Sequence, residues 1–200
     1  GLGLVLGSCE CTLEDLMGAY VMLANQGVYR PLRTVENAPV APRKRLLSEG
    51  TALMLFTMLE QPLPYELDRN LIRAHSPSRA AWKTGTSTGY RDAWCFIYNQ
   101  HYVVGVWLGN NGGQSSQWLV GGHSALPLAA RIFRTLPPKT TPAWPAPGAQ
   151  WSEVEVCAAS GLPASPSCPQ RRTGCFPRKQ FLHRRCSVHA PGPGGIVTER

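Results

Sequence analysis

The 200-residue chain contains no apolar run near the roughly 18–20 residues that a membrane-spanning helix requires. It also lacks a charged leader followed by a short apolar stretch, so no signal peptide is read in it. Neither absence bears on what precedes Gly1, because the opening residues already read as mid-domain sequence and the chain is expected to be a fragment. Acidic residues are scarce, 12 against 20 Lys and Arg, for a formal charge of +8. The excess is uneven: residues 1–136 hold 12 basic against 9 acidic side chains, and residues 137–200 hold 8 against 3. A basic surface attracts nucleic acid, anionic lipid or an acidic polymer, although a solvated basic tail is its ordinary meaning. The interleaved aromatic and basic residues of a nucleic-acid module are missing, so no nucleic-acid partner is assigned. Charged residues make up only 16% of the chain and hydrophobic ones 43%, which suits a globular body that buries a core.

What the chain does have is cysteine, proline and a dense polar stretch. Seven cysteines occur. Cys157, Cys168, Cys175 and Cys186 crowd the tail, Cys9 and Cys11 lie near the start, and Cys95 sits in an apolar run. The odd count leaves at least one thiol unpaired within the chain, and Cys95 is the candidate for a buried free cysteine.

Taken in order, Thr12 and Asp15 predict a capped helix with an apolar stripe of Leu13, Leu16, Met17, Tyr20, Val21 and Ala24, ended by Gly27. Residues 28–35 predict a strand interrupted by Pro31, and residues 39–45 a solvated basic loop. Ser48 starts a second helix, apolar enough to be well buried, which Pro62 stops. Residues 62–79 read as a loop. Strands are predicted over 80–88, 93–98 and 102–108, the last two joined by Asn99-Gln100-His101 at hairpin length. Residues 110–122 are a loop, and 125–135 a helix that tolerates Pro127 in its first turn. A helix lying on an antiparallel sheet is α+β architecture. Residues 137–148 carry five prolines and read as a semi-rigid linker. Beyond it, Glu153–Val156 alternates like a strand, and the remainder is too poor in apolar residues for a core without disulfides or a metal. The expected division is therefore 1–136, a linker at 137–150, and a Cys-rich basic tail at 151–200.

The candidate site is Lys83-Thr84-Gly85-Thr86-Ser87, framed by Trp82 and Tyr90. Lys83 and Thr84 together suit a carboxylate. Gly85 lets a ligand lie against the strand as an added strand would, and an exposed edge offers N–H groups to an oxyanion. Strict alternation puts Lys83 and Thr84 on opposite faces, so both reach one ligand only if the strand bends, which Gly85 permits. Three residues alone are a weak motif, and a surface strand with ordinary threonines reads the same way.

The context is more specific. Ala81-Trp82-Lys83-Thr84-Gly85-Thr86-Ser87, Tyr90-Arg91-Asp92-Ala93-Trp94 and Val103-Val104-Gly105-Val106-Trp107-Leu108-Gly109 resemble the class A bifunctional penicillin-binding proteins. Gly1-Leu2-Gly3-Leu4, Leu23-Ala24-Asn25-Gln26-Gly27, Leu46-Leu47-Ser48, and in the tail Cys157, Ser160-Gly161-Leu162, Cys168-Pro169 and Cys186-Ser187-Val188-His189 extend the resemblance over nearly the whole chain. It implies the C-terminal part of a transpeptidase domain and a tail that follows it. The activity implied is a serine acyl-enzyme D,D-transpeptidase of peptidoglycan synthesis. Its partners are stem peptides ending in D-Ala-D-Ala, β-lactams that mimic them, and other cell-wall synthesis proteins. Position by position, Lys83 and Thr84 bind the substrate carboxylate, Gly85 lets the substrate lie against the strand, Ser87 and Thr88 line the strand's end, and the Thr86 backbone N–H forms half of the oxyanion hole. The departure is that no serine here begins a Ser-x-x-Lys or a Ser-x-Asn. The nucleophile, the glycosyltransferase domain and a membrane anchor at the periplasmic face of a bacterial inner membrane are expected upstream. Losing that upstream partner is expected to leave apolar faces of the first two helices open and stability marginal.

No cofactor and no metal ligand is assigned from sequence. In the tail, only Cys186-x2-His189 has tight zinc-ligand spacing. Disulfides or free thiols are favoured over zinc, because the implied compartment permits disulfides. His75, His101 and His123 read as surface or structural. The other class of function that fits is a non-catalytic module that holds cell-wall peptides or partner proteins along the Lys83–Thr86 strand.

Overall fold

The computed structural model describes residues 3, 7, 9–64, 80–137, 139, 151–177, 184–191 and 197–199. The chain divides into two compact units, Gly1–Trp144 and Pro145–Arg200.

The first unit begins with α1 (Leu13–Ala24). Thr12 caps it in a reciprocal box, its oxygen accepting the Asp15 N–H at 3.1 Å while the Asp15 carboxylate accepts the Thr12 N–H at 3.1 Å. After Asn25 the chain turns back through Gly27, whose carbonyl accepts the Leu46 and Leu47 N–H groups. Only glycine suits position 27. Its φ is +87°, and a Cβ there would lie 2.3 Å from the Leu47 carbonyl oxygen. That return pairs β1 (Val28–Tyr29) with β2 (Lys44–Arg45). Both are two-residue strands. The predicted strand over 28–35 therefore stops early, and the predicted loop at 39–45 ends in a strand. Arg45 is exposed, yet its guanidinium also donates to the Gln26 and Leu47 carbonyls and pairs with Glu49.

Helix α2 (Glu49–Leu59) starts at Ser48, whose oxygen accepts the Thr51 N–H. It buries Ala52, Leu53 and Phe56, but Met58 is 68% exposed. The prediction of a well-buried helix is corrected here. Its apolar residues run around the helix, and the sheet covers only one side. The predicted loop at 62–79 falls mostly on residues 65–79, outside the described residues, as do most of 1–8 and 137–150.

Strands β3 (Ala81–Thr86), β4 (Asp92–Tyr98) and β5 (Val103–Gly109) form an antiparallel meander in the order β3-β4-β5. Alternation gives the sheet two apolar faces. On one, Phe96 and Tyr98 meet Tyr20 of α1, and Tyr98 meets Phe56 of α2. Gly105 opposes Phe96 in the register, and a Cβ there would lie 2.5 Å from the Met17 sulfur, so glycine lets α1 sit close. On the other face, Ala93, Cys95, Ile97, Val104 and Val106 pack with α3 (Leu126–Thr135) through Ala129, Ala130 and Phe133. One π-helical turn, Gly121–Ala125, leads into α3. The unit is a sheet with helices on both faces, an α+β arrangement.

In the second unit, β6 (Trp151–Cys157) pairs antiparallel with β7 (Arg171–Pro177), and β8 (His189–Pro191) with β9 (Val197–Glu199). The sequence reading found only part of β6. Among the described residues of both units, no helix is long and apolar enough to cross a membrane.

Cys95 has no exposed surface, and burial pushes its thiol up to about 12. Iodoacetamide at pH 8 is therefore expected to alkylate exposed Cys9 and Cys175 in the folded chain and to reach Cys95 only after denaturant is added. Peptide mass spectrometry reads the order of modification.

Candidate functional site

The Lys83–Ser87 stretch lies on β3, an edge strand. Its inner side is fully paired, from Ala81 opposite Tyr98 to Thr86 opposite Ala93, with no slip in register. Gly85 therefore carries no bulge in the ladder. Beyond the strand end the Ser87 N–H donates to the Asp92 carbonyl at 3.0 Å. Hydrogen-bonded pairs alternate along an antiparallel ladder, so Gly85 and Lys83 are the next residues to bond β4. Trp82, Thr84 and Thr86 then turn their N–H and C=O groups to the open side. Two contacts agree: the Trp82 carbonyl accepts from Gln61 and the Thr84 carbonyl from Lys83. Among the described residues, the only backbone pairing on that side is the isolated Glu60–Ala81 bridge, at the far end of β3 next to the Gln61 contact.

The side chains alternate as well. Lys83 and Gly85 share a face with Phe96 and Trp94, and Thr84 and Thr86 share the other with Cys95 and Ala93. The two residues expected to hold one carboxylate thus leave the strand in opposite directions. Lys83 is exposed, and it reaches the open edge by its own length, donating to the Thr84 carbonyl at 2.6 Å. Thr84 meets that edge with its backbone. The Thr86 hydroxyl oxygen is used inward, accepting the Gly121 N–H at 3.0 Å.

Ser87 holds the turn into β4. Its side-chain oxygen accepts the Asp92 N–H at 2.8 Å and the Arg91 N–H at 3.2 Å. The carbonyl accepts the Tyr90 N–H, with Tyr90 itself at φ 54°. Asp92 also receives the Trp107 indole N–H at 2.9 Å, which ties β4 to β5 at the same end. Gly121 covers this end of the ladder from the α3 side. A Cβ on it would lie 2.4 Å from the Gly85 carbonyl oxygen and 2.8 Å from that of Trp94.

The second unit holds a separate constellation. Cys157, Cys168, Cys186 and His189 are all buried, with their ligand atoms within 4.8 Å of one another. The His189 Nδ1 lies 3.4 Å from the Cys157 sulfur and 3.6 Å from the Cys186 sulfur. None of the seven cysteines forms a disulfide. Of the disulfides or free thiols expected in the tail, the structure has free thiols, three of which converge on a histidine. The Cys186 thiol is held down to about 5, first by the Ser160 hydroxyl and then by the His189 backbone, against the cost of desolvation. Backbone hydrogen bonding at Ser160 lowers the Cys157 thiol, and the hydrogen bond to Cys186 raises His189. Cys175 is exposed on β7 opposite Glu153 and takes no part. The sequence signal was there in Cys186-x2-His189, but four crowded cysteines in a compartment that permits disulfides favoured disulfides or free thiols.

Penicillin-binding protein 1C of Escherichia coli is 38% identical to this chain over 138 residues, 68% of the chain and 17% of the relative. The chain belongs to the penicillin-binding proteins. Penicillin-binding protein 1A of Pseudomonas aeruginosa is 30% identical over 46% of the chain and 11% of the relative. Penicillin-binding protein 1B of Vibrio cholerae is 27% identical over 71% of the chain and 20% of the relative. The chain thus spans about a sixth of the length of the first of these penicillin-binding proteins. No family model matches it. The crystal structure of penicillin-binding protein 1A from Haemophilus influenzae overlaps 78% of this chain and 24% of its own, at 15% identity and a TM-score of 0.47. The sequence matches carry the assignment.

In this penicillin-binding protein segment, the packing at Gly121 generates a test. Gly121→Ala forces a methyl group against two backbone carbonyls and is expected to cost about 1–3 kcal/mol. It should lower the urea midpoint of the chain, whereas Gly122→Ala, where a Cβ meets nothing within 4 Å, should cost much less.

Proposed function

We propose that the open edge of β3 is one wall of a D,D-transpeptidase site that cross-links peptidoglycan stem peptides ending in D-Ala-D-Ala. The observation that carries the reading is the ladder register. It aims the backbone groups of Thr84 and Thr86 at an unpaired edge, beside the only lysine of the stretch. An extended peptide can add to that edge as a further strand. Lys83 is exposed, as a binder of the terminal carboxylate requires, and it leaves the Thr84 carbonyl to do so. The Thr86 N–H points where the carbonyl oxygen of the scissile bond would lie and supplies half of an oxyanion hole. Thr84 contributes its backbone to the peptide. Ser87 keeps the turn, and with it the register, in place.

The nucleophilic serine and its base come from chain outside these 200 residues, since no serine here has the Ser-x-x-Lys spacing. That serine attacks the penultimate carbonyl and forms an ester, and the terminal D-Ala leaves with the proton. An amine of a neighbouring stem peptide then takes the acyl group and the serine regains its proton. A β-lactam enters as a mimic of the acyl donor and leaves the serine blocked. Lys83 binds substrate and takes no part in proton transfer. A glycosyltransferase domain, an anchor in the inner membrane and a periplasmic location accompany this reading, with peptidoglycan and other cell-wall synthesis proteins as partners.

In the full protein that contains this segment, Lys83→Ala is expected to slow acylation by a fluorescent penicillin about 10- to 100-fold. That is the loss of a hydrogen bond to a charged group worth about 1.5–3 kcal/mol. A rate within twofold of the unaltered protein would sink the carboxylate role. The 200-residue chain alone is expected to take up no labelled penicillin on denaturing gels, and a covalent adduct on it would place the nucleophile inside this sequence.

A further inference from the structure

We propose that Cys157, Cys168, Cys186 and His189 form a structural zinc(II) site that organises the second unit. The proposal stands apart from the transpeptidase reading, since it uses no residue of the β3 edge.

Four ligands come from four places in the chain. Cys157 ends β6, Cys168 lies in the loop before β7, Cys186 precedes β8 and His189 begins it. Each is fixed by its own backbone. The Cys157 carbonyl accepts the Gly161 N–H at 2.9 Å in a turn where Gly161 has φ 70°, and the Cys157 N–H donates to the Leu162 carbonyl. The Cys186 N–H donates to the Pro163 carbonyl at 2.8 Å. Around Cys168 the Ser165 N–H points at the sulfur, at 3.3 Å, the arrangement that suits a sulfur carrying negative charge. Arg171 gathers the Cys168, Ser165 and Pro166 carbonyls from the other side.

No disulfide joins these cysteines, and the S···N separations fit a metal. A disulfide needs two sulfurs at about 2.05 Å. A zinc ion with bonds of about 2.3 Å to sulfur and 2.0–2.1 Å to nitrogen sets the edges of a regular tetrahedron at about 3.6 Å for S···N and 3.8 Å for S···S. The two S···N separations here, 3.4 and 3.6 Å, lie at the tetrahedral value. Three sulfurs and one imidazole are the donor set of a closed zinc site. A closed site leaves no position for water or substrate, so its role is structural. Each thiol that binds gives its proton to solvent, and three thiolates on a divalent ion leave one negative charge. The basic excess of the tail offsets it.

The surroundings explain why a metal is needed. Among the described residues, the buried cluster of this unit is the three cysteines themselves, with Leu162, Ala164 and Val188 packed against them and Val156 buried on β6. That is too little apolar area to hold so small a unit without a covalent or coordinate staple.

The test uses the whole 200-residue chain, expressed with zinc and purified with reductant. Elemental analysis is expected to find about one zinc per chain. Cobalt(II) in its place is expected to give the intense visible bands of a tetrahedral ion with a thiolate charge-transfer band. Cys175→Ser should keep the metal and Cys186→Ser should lose it. His189→Cys, which restores a fourth sulfur, should keep it with a stronger charge-transfer band, which separates ligand loss from misfolding. A zinc-free chain whose cobalt spectrum is that of a six-coordinate ion overturns the proposal. So does a disulfide among Cys157, Cys168 and Cys186 in chain isolated without oxidant, or a Cys175→Ser variant as empty as Cys186→Ser.

Discussion

The two hydrogen bonds that the Ser87 oxygen accepts from the Arg91 and Asp92 backbone set the register of the first unit. A turn one residue longer would shift β3 against β4 and move every side chain of β3 to the opposite face. Cys95 and Ile97 pack on α3 and Phe96 and Tyr98 on α1 and α2, so neither face of β4 tolerates that exchange. The same register decides which backbone groups of β3 look outward. The set of backbone groups that β3 turns outward is thus a by-product of how the core is divided between two layers of helix.

The three strands of the meander were readable because their aromatic and β-branched residues come in short runs bounded by turn residues. The caps of α1 and α2 were readable for a similar reason: a hydroxyl residue at Thr12 and Ser48 sits directly before an apolar run. The β1–β2 pair was not. Its two-residue strands exist because the Gly27 carbonyl collects the Leu46 and Leu47 N–H groups from some twenty positions away, and no local pattern marks such a return. Nor did composition tell which side of α2 would face water, since Met58 is as apolar as Leu59. Burial there is decided by how much sheet is available to cover a helix.

At the β3 edge, the residue types were legible and their directions were only partly so. Alternation alone foresaw that Lys83 and Thr84 diverge, but the resolution lies in side-chain length: four methylenes bring the ammonium around to the edge where the Thr84 carbonyl waits. The Thr86 hydroxyl bonds Gly121 across 35 positions of sequence, which no motif announces. The tail was harder again. Cys175 sits among the other cysteines in sequence yet at the far end of the β6–β7 pair in space, so the crowding in sequence concealed a set of three thiols and a histidine.

The open side of β3 has a second consequence, for solubility. A bare strand edge is a template for any other extended chain, including a second copy of itself. Natural sheets blunt such edges with a charged side chain, and lysine is the residue most used for it. Lys83 curls over the Thr84 carbonyl and occupies an acceptor that an intruding strand would need. The same ammonium must step aside when an anion offers it a better partner. On the proposed reading, the edge is guarded at rest and admits, by charge, the extended chains that carry a carboxylate.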